Sequence, residues 1–128
     1  MMKIDHIALF VADLERAKNF WMKYFDAKPN ELYHNPRTGL KTYILSLDGE
    51  ARVEIMSRPD VQPSTPDIPR MGYAHVSVSL GSKERVDAMT EWLRADGYAI
   101  VSGPRTTGDG YYETCFTDGE GNQIEITV

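Results

Sequence analysis

Asp5-His6-Ile7-Ala8-Leu9-Phe10-Val11 returns later in the chain as Ala74-His75-Val76-Ser77-Val78-Ser79-Leu80, with the two histidines 69 positions apart. At the same offset, Glu15-Arg16 maps onto Glu84-Arg85, and Ala17, Phe20 and Tyr24 map onto Val86, Met89 and Leu93. Further on, Asp48-Gly49-Glu50 corresponds to Asp118-Gly119-Glu120, and Val53-Glu54-Ile55 to Ile124-Glu125-Ile126. Matches that keep their order while drifting by two residues describe one unit written twice, with a small loop insertion.

Each copy reads as a strand, a helix and then three strands. In the first, residues 4–11 alternate over a strand length, Asp13 is placed to cap a helix over 13–25, and strands follow at 31–35, 40–47 and 52–57. Asn35 to Gly39 marks a hairpin, and Asp48-Gly49 a turn. The second copy predicts a strand at 73–80, a helix at 83–96 stopped by Gly97, and strands at 98–102, 111–117 and 122–127. The domain reading is a first module at 1–57, a linker at 58–69 and a second module at 70–128. That linker holds Pro59, Pro63, Pro66 and Pro69. Such a segment is stiff, and at ~3.1 Å per residue it reaches roughly 35 Å. The fold class expected is α+β, two tandem βαβββ modules forming a sheet-lined cavity.

Strand side chains alternate between faces. Ile7, Leu9 and Val11 share one face of the first strand, while His6, Ala8 and Phe10 share the other. Val76, Val78 and Leu80 oppose His75, Ser77 and Ser79 in the same way. In the closing strands, Val53 and Ile55 oppose Arg52, Glu54 and Met56; Ile124 and Ile126 oppose Gln123, Glu125 and Thr127. The aliphatic face suits the amphipathic helix of each copy. His6, Glu54, His75 and Glu125 therefore lie on the faces turned away from the helices. A single strand His or Glu is ordinary. One of each, recurring at equivalent places, points to a divalent-metal site.

Composition bounds the remaining classes. The chain has 128 residues, 41% of them hydrophobic and 26% charged, which suits an ordinary globular domain. A net charge of −5 argues against nucleic acid or an anionic membrane as partner. No stretch reaches the ~18–20 apolar residues of a membrane span. The lone Cys115 excludes an intrachain disulfide, and Met1 to Asp5 lacks a signal-peptide core, so a cytoplasmic location is expected.

The chain resembles the vicinal-oxygen-chelate superfamily of glyoxalase I, bleomycin-binding proteins, ring-cleaving dioxygenases and fosfomycin-resistance thiol transferases. The carriers are Asp5 to Leu14 (DHIALFVADL) with Phe20-Trp21, Gly72-Tyr73-Ala74-His75-Val76, and Asp118-Gly119-Glu120-Gly121-Asn122-Gln123-Ile124-Glu125. The resemblance implies that the last strand of each module lies beside its first, bringing Glu54 to His6 and Glu125 to His75. Two His and two Glu are most similar to bacterial glyoxalase I, implying Ni²⁺ or Zn²⁺, with Co²⁺ or Mn²⁺ as further candidates. It also implies a lyase or isomerase that chelates two neighbouring oxygens of a small substrate and abstracts a carbon-bound proton through an enediolate. Glu125 would be the base and Glu54 its partner, in a homodimer. Alternatives are ring cleavage, thiol transfer in antibiotic resistance, or binding of a small molecule without catalysis. Phe10 stands where glyoxalase I typically has Arg, and Arg58 where it has Asn, which puts glutathione in doubt. Phe10, Tyr43, Met56, Arg58, Arg105, Tyr111 and Tyr112 are the expected pocket residues. His34 has no counterpart in the repeat and is expected to be exposed.

Overall fold

The computed structural model describes residues 1–65 and 68–128; Pro66 of the expected linker, with Asp67, lies outside the described residues. The chain divides into two compact units, Met1–Gln62 and Pro63–Val128.

In the first unit, strand β1 (His6–Phe10) leads into helix α1 (Leu14–Phe25), then β2 (Lys28–Pro29), β3 (Tyr33–Asn35), β4 (Leu40–Ser46) and β5 (Arg52–Ser57). The sheet order is β1-β5-β4-β2, with β3 also paired to β4. Asp13 caps α1 by accepting a hydrogen bond from the Arg16 backbone N–H at 3.0 Å, and the left-handed Asp26 closes it. Ala17, Phe20, Trp21 and Tyr24 bury one stripe of the helix, as do Leu45, Val53 and Ile55 on the sheet. The expected strand at 31–35 is shortened to β3 at its end, and the short β2 pairs with β4 ahead of it, with a break between them. Asn30 makes the break: its backbone N–H donates to the Ile44 carbonyl, and its side-chain oxygen accepts from the Ile44 N–H at 2.8 Å.

The second unit repeats the plan with β6 (His75–Ser79), α2 (Lys83–Ala95), β7 (Ile100–Thr106), β8 (Tyr112–Thr117) and β9 (Gln123–Thr127), in sheet order β6-β9-β8-β7. Ser82 caps α2, accepting from the Arg85 N–H. Phe116, Ile124, Ile126, Val86 and Leu93 are fully buried. Met89, the counterpart of Phe20, is only half-buried. The fully buried Thr90 beside it hydrogen-bonds Thr114 of the sheet at 2.8 Å, a polar link through the core.

Strand β7 runs past the expected end at residue 102. Gly103-Pro104 looks like a breaker, but the sheet absorbs it as an irregularity between Ser102 and Arg105. Gly103 has φ +98°, and a Cβ there would stand 2.5 Å from the Glu113 carbonyl oxygen, so only hydrogen fits. The expected linker is not simply extended either. A backbone bond from Val61 to Arg58 bends it, and the Ser64 hydroxyl donates to the Gly121 carbonyl.

Candidate metal centre

In the first unit β1 and β5 are parallel neighbours, with Ala8 opposite Glu54. His6 precedes Ala8 by two residues and so shares its face. Its Nε2 lies 3.8 Å from Glu54 Oε1, with the His6 side chain 40% and the Glu54 side chain 21% exposed. The other ring nitrogen is held: Asp5 Oδ2 accepts from His6 Nδ1 at 2.7 Å and also pairs with the Arg52 guanidinium. These two partners, His6 first, keep the Asp5 carboxyl below its usual range. A proton fixed on Nδ1 leaves the Nε2 lone pair for a ligand bond.

The second unit has the same construction. Ser77 pairs with Glu125 across parallel β6 and β9. His75 Nε2 lies 3.2 Å from Glu125 Oε2. Its surroundings differ, however. Cys115 is opposite Glu125 on β8, and Glu113, two residues earlier, shares that face. Burial, then the hydrogen bond and charge of Glu125, push the Glu113 carboxyl up, and Arg105 opposes them. The half-buried Cys115 thiol is also pushed up, first by burial and then by Glu125 and Glu113. In the first unit the corresponding positions, opposite Glu54 and opposite Met56, are Ile44 and Thr42.

The four expected ligands thus stand as two His–Glu pairs, one per unit. Among the described residues no group of three or more His, Cys, Asp or Glu side chains is close enough to hold an ion. The residues fit a metal as pairs: imidazole nitrogen and carboxylate oxygen are ordinary donors for a divalent ion. Two donors at right angles, each ~2.1 Å from one ion, lie about 3 Å apart.

The expected pocket residues divide. Phe10 and Met56 are paired in register on the face that carries His6 and Glu54. Arg58 follows on from that face and is held in a two-point contact by Asp60, at 2.8 and 3.0 Å. Arg105 pairs with Glu113. Tyr111 is exposed ahead of β8. Tyr43 and Tyr112 require correction. Tyr43 pairs with Ile55 and is buried on the helix side, its hydroxyl donating to Glu15 of α1 at 2.5 Å. Tyr112 reaches Asp87 of α2 in the same manner. Lys18 and Lys83 lie over the two rings, so the units share this tyrosine–acid–lysine link between helix and sheet. His34 is exposed, as expected. A concavity of about 400 Å³ in the first unit, lined by Asp13, Glu15, Leu32, Lys41 and Ser57 among others, contains none of the expected ligands.

Sequence reading missed Asp5 and Glu113 as site residues. Asp5 directly precedes His6, and an acid there was the available signal. Glu113 became visible only with the register of β8.

Residues 3–126 match the sequence profile of the Glyoxalase/Bleomycin resistance protein/Dioxygenase superfamily. The chain belongs to that superfamily. Among its relatives is the uncharacterized protein YqjT of Bacillus subtilis, 27% identical over 133 aligned positions covering 98% of each chain. The glyoxylase/bleomycin resistance protein/dioxygenase domain from Frankia sp. has the same fold, with TM-score 0.83 at 18% identity, covering 100% of this chain and 98% of that one. So does a point mutant of the fosfomycin resistance protein FosX from Listeria monocytogenes, with TM-score 0.75 at 21% identity, covering 99% and 92%. That protein was crystallised with Mn(II) and 1S,2S-dihydroxypropylphosphonic acid. The superfamily thus embraces more than one chemistry on small molecules. Among the described residues no helix is long and apolar enough to cross a membrane.

Proposed function

We propose that this chain is a metal-dependent lyase or isomerase of the glyoxalase type. In this reading His6, Glu54, His75 and Glu125 together hold one divalent ion, Ni²⁺ or Zn²⁺ ahead of Co²⁺ or Mn²⁺. The observation that carries it is the recurrence of the His–Glu pair, with its donors 3.8 and 3.2 Å apart, on equivalent strands of both units. The Mn(II) in FosX supports a divalent ion in this fold. The two pairs meet in a homodimer, within one chain or across two, in the cytoplasm.

When bound, the ion supplies a Lewis acid for two adjacent oxygens of a small substrate. The chain's own residues do the rest. Asp5 fixes the His6 tautomer, and Glu125 accepts the proton from the carbon beside those oxygens. The proton passes from Glu125 to Glu54 by way of the substrate oxygens, and Glu54 delivers it to the neighbouring carbon, so the product is an isomer of the substrate. Coordinated imidazoles have no lone pair left for this work, whereas a carboxylate keeps a second oxygen.

The competing chemistries are ring cleavage and thiol transfer to an antibiotic; a second Glu in the ligand set weighs against both. The experiment is metal content as isolated, followed by turnover of the methylglyoxal hemithioacetals of glutathione and of 2-mercaptoethanol with each ion. Metal-dependent thioester formation from at least one supports the reading. Weak turnover of the glutathione adduct is expected, because Phe10 offers no charge to its carboxylates. With the metal site saturated, Glu125→Gln should lose ~10²–10⁴ in rate. A wild-type rate would leave Glu125 as a ligand only.

A further inference from the structure

The strands of the described residues carry four cationic side chains, Lys28, Lys41, Arg52 and Arg105. Lys41 pairs with Ser57 on the helix side, beside Tyr43 and Ile55. The other three each sit with an acid. Arg52 is bound to Asp5 at 2.5 Å, Lys28 lies 3.8 Å from Asp26, and Arg105 faces Glu113. Arg58, next along the face from Met56, is bound to Asp60. Of the strand cations outside the helix side, Arg52 and Lys28 are thus paired with carboxylates and Arg105 stands across the strands from Glu113, while Arg58 holds Asp60; Glu113 also places an acid on the face beside Glu125.

The register row next to Ala8, Glu54 and Ile44 is chemically different from its counterpart. In the first unit it reads Phe10, Met56, Thr42 and Tyr33, with Phe10 47% and Tyr33 51% exposed. In the second unit it reads Ser79, Thr127, Glu113 and Arg105. One pair is thus flanked by open apolar and aromatic surface, and the other by hydrogen-bonding groups. At these cations a carboxylate or phosphonate on the substrate would compete with an acid already in place, so its net gain in charge contact is small.

We propose that the substrate carries an uncharged apolar arm of aromatic size beside its two adjacent oxygens, and that the arm lies on Phe10 and Met56. This rests on the metal site described under the proposed function. The probes are three hydroxamates, which chelate an ion through two neighbouring oxygens and differ only in the arm: acetohydroxamate, benzohydroxamate and malonomonohydroxamate. Affinities are measured calorimetrically on the protein loaded with Zn²⁺ or Ni²⁺. Benzohydroxamate should bind about tenfold tighter than acetohydroxamate, as burial of part of a ring requires. Malonomonohydroxamate, with its carboxylate, should bind no tighter than acetohydroxamate. Phe10→Ala should remove most of the benzohydroxamate advantage and leave acetohydroxamate within twofold; Met56→Ala provides a second reading of the same surface. Equal binding of the first two, or tightest binding of the carboxylate probe, overturns the proposal while leaving the metal site standing. So does a Phe10→Ala protein that keeps the full preference but sediments at an altered mass, which would assign Phe10 to contact between copies. A protein that takes up no metal overturns both readings.

Discussion

Replacing Asp5 by Asn isolates one part of the candidate centre. Asparagine keeps an oxygen that accepts from His6 Nδ1 but removes the negative charge, which also weakens the link to Arg52. Acids behind ligating histidines commonly contribute roughly 10- to 100-fold to metal affinity. The structure selects the low end of that range: the Asp5 side chain is 64% exposed, the His6 side chain 40%, and Arg52 already draws on the same oxygen. The expected loss is therefore about tenfold in the dissociation constant for Zn²⁺ or Ni²⁺, followed by calorimetric titration of apoprotein at neutral pH. His6→Ala should lose far more, because it removes a donor. Arg52→Met leaves the His6 bond in place and should change affinity little. If Asp5→Asn binds the ion as tightly as wild type, or as poorly as His6→Ala, the orienting role assigned to Asp5 is wrong.

Further outcomes follow from the packing and from the Cys115 thiol. Thr90→Val leaves the buried Thr114 hydroxyl unmatched and should cost ~1–3 kcal/mol in urea unfolding, with the Thr90→Val, Thr114→Val double variant recovering part of the loss. Gly49→Ala at φ +97° has open space and should cost ~1–2 kcal/mol. Gly103→Ala at a similar φ meets Glu113 and Thr114 backbone atoms within 3 Å, and should fold poorly or not at all. The Cys115 thiol holds its proton more tightly in the native protein than in the unfolded chain, so alkylation by iodoacetamide should keep accelerating past about pH 9. By linkage, its contribution to stability is full below the unfolded value and is lost as the pH rises toward the folded one.

The repeat made the architecture legible, because a period of two assigns faces without any knowledge of pairing. That is why His6, Glu54, His75 and Glu125 could be placed on strands, and why β5 begins and ends where the alternation does. Asp13 as a helix cap followed from local chemistry in the same way. Tyr43 escaped because β4 offers apolar residues on both faces, Ile44 on one and Leu45 on the other. Only its register against Ile55 decides which way the tyrosine faces. Asp5 lies one residue before β1, where alternation no longer governs direction, so its turn back to His6 was not readable. Gly103-Pro104 reads locally as a stop. Its accommodation depends on the neighbouring β8 backbone, which local sequence does not encode.

If the two His–Glu pairs serve a single ion, metal stoichiometry shows it. Apoprotein titrated with Zn²⁺ and with Ni²⁺ should take up one ion per chain, at micromolar affinity or tighter, with binding lost in both His6→Ala and His75→Ala. Two weak ions per chain, with each substitution removing only one, would mean two independent pairs and would contradict the account.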